Sequence, residues 1–131
     1  MEEELKGIVA ADRVPADLTV TYDDMHGLWG GTTITVRGDG SVERRARPLG
    51  APAAEVTRKQ VDGRELVGVV RLLVELEAWE QRTAEEPPIA GEGRAHLTIS
   101  VGGRGSSVWE RVREMRANDR LLRIKSRLLA L

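Results

Sequence analysis

The feature that most constrains the fold is a β-hairpin signature between residues 32 and 46. Thr32–Arg37 alternates polar and apolar side chains, and Ser41–Ala46 resumes the alternation. Between the two segments, Gly38-Asp39-Gly40 supplies residues that tolerate the positive φ angles of a tight turn. The pattern predicts two adjacent antiparallel strands.

Period-two alternation marks strands in further places. Leu18–Tyr22 and Leu97–Val101 alternate apolar residues with Thr or Ser. After a loop whose Pro48 and Pro52 cannot donate to a ladder, Glu55–Val61 is predicted to form a short strand. The chain is therefore expected to be built mainly on antiparallel strands.

The segment that follows the predicted strand Leu97–Val101 has two interpretations. Three glycines within residues 102–105 predict a turn, from which Ser106–Val112 pairs back as the second arm of a hairpin. Ser107 and Glu110 also have the spacing of a capping box, so a helix that begins at Val108 is the alternative. Because the glycine-rich turn joins two apolar runs, we prefer the hairpin.

Two segments have helical periodicity. A long helix is predicted to follow Asp62, a good N-cap, and to run to about Thr83, with Pro87-Pro88 beyond its end. Its apolar stripe comprises Leu66, Val69, Val70, Leu73, Leu76 and Trp79. A short helix is predicted after Asn118 or Asp119. The residues on its apolar face are Leu121, Ile124, Leu128 and Leu131.

The order of these elements shows no regular βαβ alternation, which predicts an α+β fold. The expected architecture is an antiparallel sheet of about four to five strands with one long and one short C-terminal helix packed on one face. The 131 residues suffice for a single domain, 1–131. Within it, residues 1–16 are expected to form a peripheral or poorly ordered segment.

The order of parts resembles that of an uncharacterised bacterial family, one of the domains of unknown function. The resemblance is carried by Leu18–Tyr22, by Thr32–Ser41 with its Gly-Asp-Gly turn and by Leu97–Val112, so it covers about residues 17–131. Members of that family often place cysteines in the first loop, where this chain reads Met25-His26-Gly27-Leu28-Trp29-Gly30-Gly31. The resemblance implies a fold and no chemistry, because the family has no established activity.

Charge is unevenly distributed along the chain, although the formal net charge is only −1. Residues 1–30 and 75–103 carry net charges of −5 and −4, whereas residues 31–74 and 104–131 carry +3 and +5. The far end of the long helix is acidic, which is unfavourable beside the negative end of the helix dipole unless bases approach it. We therefore expect the basic last block to lie near this acidic end, or else both to face partners.

The sequence offers little that points to catalysis. Because the chain has no cysteine, it has no thiolate nucleophile and no cysteine-ligated metal. Asp23, Asp24 and His26 are close together, but they lack the spacing of a zinc or calcium motif. Neither a nucleophile elbow nor a phosphate-binding glycine loop is present. We expect no metal and no cofactor, and an enzyme that uses the Asp23, Asp24 and His26 loop is the last of three hypotheses.

Nucleic-acid binding through the arginine-rich residues 104–131 is the second hypothesis. A sequence pI near 6.2 and the scarcity of aromatic residues for base stacking weigh against it. The last helix has a basic side, but its apolar face has a sheet to cover, so no membrane contact is expected. The start Met1-Glu2-Glu3-Glu4 does not resemble a secretory signal, and a cytoplasmic location is expected.

The first hypothesis is a small non-catalytic cytoplasmic domain that acts by protein–protein interaction, as an adaptor, a regulator or an immunity-type inhibitor. It can also self-associate, because complementary patches on one chain allow symmetric pairing. The loop Met25–Gly31 holds large apolar residues that either form a contact surface or, as for Trp29, fill the core. The candidate interaction residues are Met25, His26, Leu28, Trp29, Arg120, Arg123 and Arg127.

Overall fold

The computed structural model describes residues 1–26, 30–83 and 92–131. Within these ranges the chain forms three α-helices, six β-strands and one short 3₁₀ helix. The elements are α1 (Glu2–Ala11), β1 (Thr19–Asp23), β2 (Gly31–Arg37), β3 (Ser41–Arg47), β4 (Glu55–Gln60), α2 (Gly63–Glu75), β5 (Arg94–Val101), β6 (Arg104–Arg111), the 3₁₀ helix (Val112–Glu114) and α3 (Arg120–Leu129).

The strands form one antiparallel sheet in the order β4-β3-β2-β1-β5-β6. The α+β class is confirmed, although the described sheet has six strands rather than four or five. The predicted first hairpin is β2–β3, in whose turn Gly40 has a φ of 91° and Asp39 accepts the Ser41 N–H at 2.9 Å. The hairpin after residue 101 is also confirmed, because β6 pairs with β5 along its whole length.

One face of the sheet packs against the helices, and the other faces solvent. In β1 and β5, every second side chain is buried, including Tyr22, Leu97 and Ile99, whereas the intervening ones are exposed or half-buried. All three helices contribute residues to the same core. The predicted N-cap of α2 is confirmed, since Asp62 accepts the Glu65 N–H at 2.9 Å. In the described part of the chain, no helix combines the length and apolar character needed to cross a membrane.

The N-terminal segment differs from the expectation of a peripheral or poorly ordered stretch. Residues 2–11 form α1, whose Leu5 and Ile8 are buried in the core against the other elements. Its first turn contains three glutamates, which interact favourably with the positive end of the helix dipole. With Leu5 and Ile8 as its buried residues, this ten-residue segment has only a narrow apolar stripe, which is a weak sequence signal for a packed helix. The position of α1 in the core is therefore decided by its contact with α2.

Helix α2 ends at Glu75, which is earlier than the predicted end near Thr83. Glu77 has a left-handed conformation with a φ of 48°, and the Ala78 N–H turns back to the Leu73 carbonyl at 3.0 Å. This is the hydrogen bond of a Schellman C-cap. Because glutamate rather than glycine occupies the left-handed position, no residue type in the sequence marks the end of the helix.

Two further predictions concern the end of the long helix, namely the burial of Trp79 and the position of Pro87-Pro88. Trp79 fits the spacing of the apolar stripe but lies in the turn beyond α2, where it packs half-buried against the core. Pro87-Pro88, predicted to lie beyond the helix, falls outside the described residues. The remaining stripe residues up to Leu73 are buried as predicted.

We predict that Leu5→Ala lowers the free energy of unfolding by about 2–5 kcal/mol, because Leu5 is 0% exposed and its truncation leaves a cavity. Urea denaturation followed by circular dichroism measures this loss. Lys6→Ala, on the exposed side of the same helix, is the matched control and is expected to stay within about 0.5 kcal/mol of the parent. Equal stabilities of the two variants would contradict the placement of α1 in the core.

Candidate interaction surface

Asp23, at the end of β1, holds the following loop onto the neighbouring strand. Its Oδ1 accepts the Met25 N–H at 2.9 Å and the Thr33 hydroxyl at 2.9 Å. The first contact is a local side-chain-to-backbone turn, and the second ties that turn to β2. The Asp23 carboxylate is therefore engaged in positioning the loop.

Asp24 joins three elements. Its Oδ2 accepts the Tyr22 hydroxyl at 2.7 Å and the Lys125 ammonium at 2.6 Å, while its Oδ1 accepts the Thr32 N–H at 2.7 Å. Burial, followed by the hydrogen bond to Asp24, raises the pKa of the Tyr22 phenol above its ordinary value. Tyr22 therefore stays protonated at neutral pH, and Asp24 anchors α3 to β1 and β2.

The predicted contact residues of the loop are described only in part. Met25 and His26 are half-buried, and the His26 carbonyl accepts a hydrogen bond from Arg47 Nη2 at 2.6 Å. Leu28 and Trp29 lie outside the described residues, so their role as contact surface or core stays a prediction. Across residues 1–26, 30–83 and 92–131, no group of three or more His, Cys, Asp or Glu side chains could hold a metal ion.

Arg120, predicted as an interaction residue, is 3% exposed. Its Nη1 donates to the Glu77 carbonyl at 3.1 Å and so supports the left-handed turn at the end of α2. Its Nε lies 3.8 Å from Oε1 of Glu110, which is itself 2% exposed. Arg120 therefore connects the first turn of α3 to both α2 and β6.

The Glu110–Arg120 ion pair is buried but poorly hydrogen-bonded. Both Glu110 oxygens and Nε and Nη2 of Arg120 have no hydrogen-bond partner among the described atoms. Burial raises the pKa of Glu110 even though the charge of Arg120 opposes that change, and burial lowers the pKa of Arg120. In this buried site, the charges of Glu110 and Arg120 compensate each other. Removal of either side chain therefore leaves the other as an unpaired buried ion.

The two other predicted arginines of α3 lie along α2. Arg123 pairs with Glu75 at 3.3 Å, and Arg127 pairs with Glu65 at 3.0 Å. The Arg123 contact, together with Arg120 at the Glu77 carbonyl, confirms the expectation that the basic last block lies near the acidic end of the long helix, whereas Arg127 contacts the first turn of α2. Each exposed pair contributes little stability in water, so its main effect is to orient α3 and neutralise its charge.

The outer edge of β6 is occupied near its C-terminal end by a side chain. Gln81 Oε1 accepts the Trp109 N–H at 2.9 Å, and Gln81 Nε2 donates to the Trp109 carbonyl at 3.1 Å. The amide thereby pairs with the strand as a neighbouring backbone would. On the sheet face, the guanidiniums of Arg94 and Arg111 lie 3.9 and 5.4 Å from the centroid of the Trp109 ring.

Strand β4, at the opposite edge, has no such cover among the described residues. Its six residues are all exposed, whereas each of the other five strands buries at least one residue. Val56 is the apolar exception in a polar strand, and it is 40% exposed. β4 is therefore held mainly by its backbone ladder to β3.

The direction of the β4 backbone groups follows from the ladder. The Val61 N–H donates to the Gly40 carbonyl at 2.9 Å, and alternate residues of an antiparallel strand face the same neighbour. Lys59, Thr57 and Glu55 therefore direct their backbone groups toward β3. The residues whose N–H and C=O groups point away from the sheet are Val56, Arg58 and Gln60. We call these groups the outer edge of β4; no described strand pairs with it.

Comparison of the sequence with protein-family models and with curated proteins gives no match. The candidate surface therefore rests on geometry. Neither Gln81 nor the outer edge of β4 is among the residues predicted from the sequence. A signal for β4 does exist, because Glu55–Gln60 contains a single apolar residue and so has no apolar face to bury.

We predict that Arg120→Met lowers the free energy of unfolding by about 3–5 kcal/mol, because it leaves Glu110 buried without a counter-charge. Combining it with Glu110→Leu is expected to recover most of the loss, as measured by urea denaturation. The control is Arg123→Met, which breaks an exposed pair and is expected to cost less than about 1 kcal/mol. A double variant that loses the sum of the two single losses would show that the residues are not coupled.

Proposed function

We propose that this protein is a small non-catalytic interaction module that binds a partner protein chain through the outer edge of β4. The roles that fit such a module are adaptor, regulator and immunity-type inhibitor, and we place its action in the cytoplasm. The observation that carries the proposal is a strand with no buried residue, whose outward row of backbone donors and acceptors pairs with no strand in the described part of the chain.

Strand addition is the binding mode that such an edge supports. An extended segment of the partner forms main-chain hydrogen bonds with the edge, and alternate side chains supply specificity. In β4, Arg58 pairs with Glu43 at 3.1 Å on one face, while Glu55 and Lys59 lie on the other face. Charges on an edge strand oppose indiscriminate pairing, so this edge favours a partner with complementary charges.

Nucleic-acid binding has weaker support. Six of the eight basic side chains in residues 104–131 lie within 4 Å of a carboxylate in the same chain. A phosphate would have to displace these partners, and Arg120 is buried besides. The arginine block thus supports the positioning of α3 better than it supports a phosphate-binding surface.

A catalytic role for the Asp23, Asp24 and His26 loop also has weak support. Both carboxylates accept hydrogen bonds that hold β1, β2 and α3 together. Met25 and His26 stay predicted contact residues, at the end of the sheet where β1 and β3 terminate. Arg47 links His26 to β3, the strand next to β4.

We predict that Arg58→Pro abolishes partner binding, because proline removes an outward N–H and places its ring where the partner strand would lie. Arg58→Gln is the matched control, since it removes the same charge but keeps the N–H, and it is expected to retain binding. The measurement is capture from an extract of the native host, followed by titration of the purified captured protein.

We expect both variants to fold, because Arg58 faces solvent and its backbone does not bond to β3. Thermal melting of each variant verifies this. Equal affinities of the proline and glutamine variants would contradict binding at this edge. Retained oligonucleotide binding at low salt without protein binding would favour the nucleic-acid alternative instead.

A further inference from the structure

We infer that the occupant of the outer edge of β4 is a second copy of this chain, paired antiparallel about a two-fold axis that passes through Thr57. The two sheets then join into one continuous sheet across the axis. The inference rests on the proposed function in that it uses the same edge. It goes further by naming the partner and the register.

Backbone geometry restricts the possible pairings. In an antiparallel ladder, residues whose backbone groups point outward must oppose each other to exchange hydrogen bonds. A two-fold axis through any residue of β4 meets this condition, and an axis through Val56, Thr57, Arg58 or Lys59 also brings at least three residues of each β4 into register. Each of these axes places a different set of side chains opposite one another.

The charged side chains of β4 favour one of these four two-fold axes. An axis through Arg58 or Lys59 sets that cation directly against its own copy, which is destabilising. An axis through Val56 brings only the first half of the strand into register. An axis through Thr57 sets Glu55 of each copy opposite Lys59 of the other, giving two pairs of opposite charge.

The remaining contacts of this register are also favourable. Thr57 meets its own copy at the axis, and threonine pairs are among the stabilising cross-strand combinations. On the solvent face, Val56 lies opposite Arg58 of the second copy, whose aliphatic stem can cover the exposed valine. Each copy thereby covers an apolar side chain that its own chain leaves 40% exposed.

Partial cover of the opposite edge of the sheet opposes growth beyond two copies. A sheet with two free edges could extend without limit, which leads to aggregation. Here Gln81 occupies the backbone groups of Trp109 in β6. A two-fold pairing uses β4 of both copies, and with Gln81 on β6 it favours a closed, symmetric dimer over an open fibre.

Single cysteine substitutions test the register, because the chain contains no cysteine. Across an axis at Thr57, the two copies of that residue form a non-hydrogen-bonded pair with a Cα separation of about 4.5 Å, which suits a disulfide. Thr57→Cys is expected to form a covalent dimer under mild oxidation at least roughly ten-fold faster than Val56→Cys or Arg58→Cys. Faster cross-linking of either control variant would overturn the proposed register.

Charge reversal gives a test that leaves the backbone unchanged. Lys59→Glu is expected to raise the dimer dissociation constant about ten-fold, because it turns two attractive pairs into two repulsive ones. Glu55→Lys combined with Lys59→Glu restores opposite charges and is expected to restore the parent constant. Sedimentation equilibrium over a range of protein concentrations measures each value. A double variant no tighter than the single one would overturn the inference.

The same experiments separate this inference from the proposed function. A wild-type protein that stays monomeric at every concentration overturns the dimer. If such a monomer still captures a host protein that Arg58→Pro loses, the proposed function stands without the dimer. If the monomer captures no host protein through this edge, both the dimer and the proposed function are overturned.

Discussion

The one-sided alternation of apolar side chains in the central strands is the constraint on which the rest of the structure depends. Every second residue of β1 and β5 is buried, so all the helices must cover the same face of the sheet. The alternation fades in β3, where only Val42 is buried, and is absent from β4. The sheet therefore extends past the apolar core, and an exposed edge strand is the direct consequence.

Charge pairing within the chain decides which surfaces remain for partners. The basic side of α3 lies along the acidic residues of α2, and Arg120 compensates Glu110 in the interior. A near-neutral net charge thus reflects blocks of opposite sign that meet inside one molecule. Because the C-terminal arginines are used in this way, we propose β4 as the interaction surface, where Glu55 and Lys59 project from a strand whose outer edge pairs with no described strand.

Local patterns predicted the parts of the fold that local forces determine. The Gly38-Asp39-Gly40 turn, the Asp62 cap and the glycine-rich turn after residue 101 each place their elements correctly. The end of α2 was not predictable, since a left-handed Glu77 depends on its contact with Arg120. Gln81 on the edge of β6 likewise depends on an approach between residues 28 positions apart, which no spacing rule reveals.

Amide hydrogen exchange at low and high protein concentration tests the central claim most directly. The amides of Val56, Arg58 and Gln60 point out of the sheet, so in dilute solution we expect them to exchange almost as fast as in an unfolded chain. As dimers form, exchange of the Val56 and Arg58 amides, which face each other across the axis, is expected to slow at least roughly ten-fold, while the Lys59 amide, inside the ladder, stays protected throughout. Exchange of the Val56 and Arg58 amides that is independent of concentration would contradict the account.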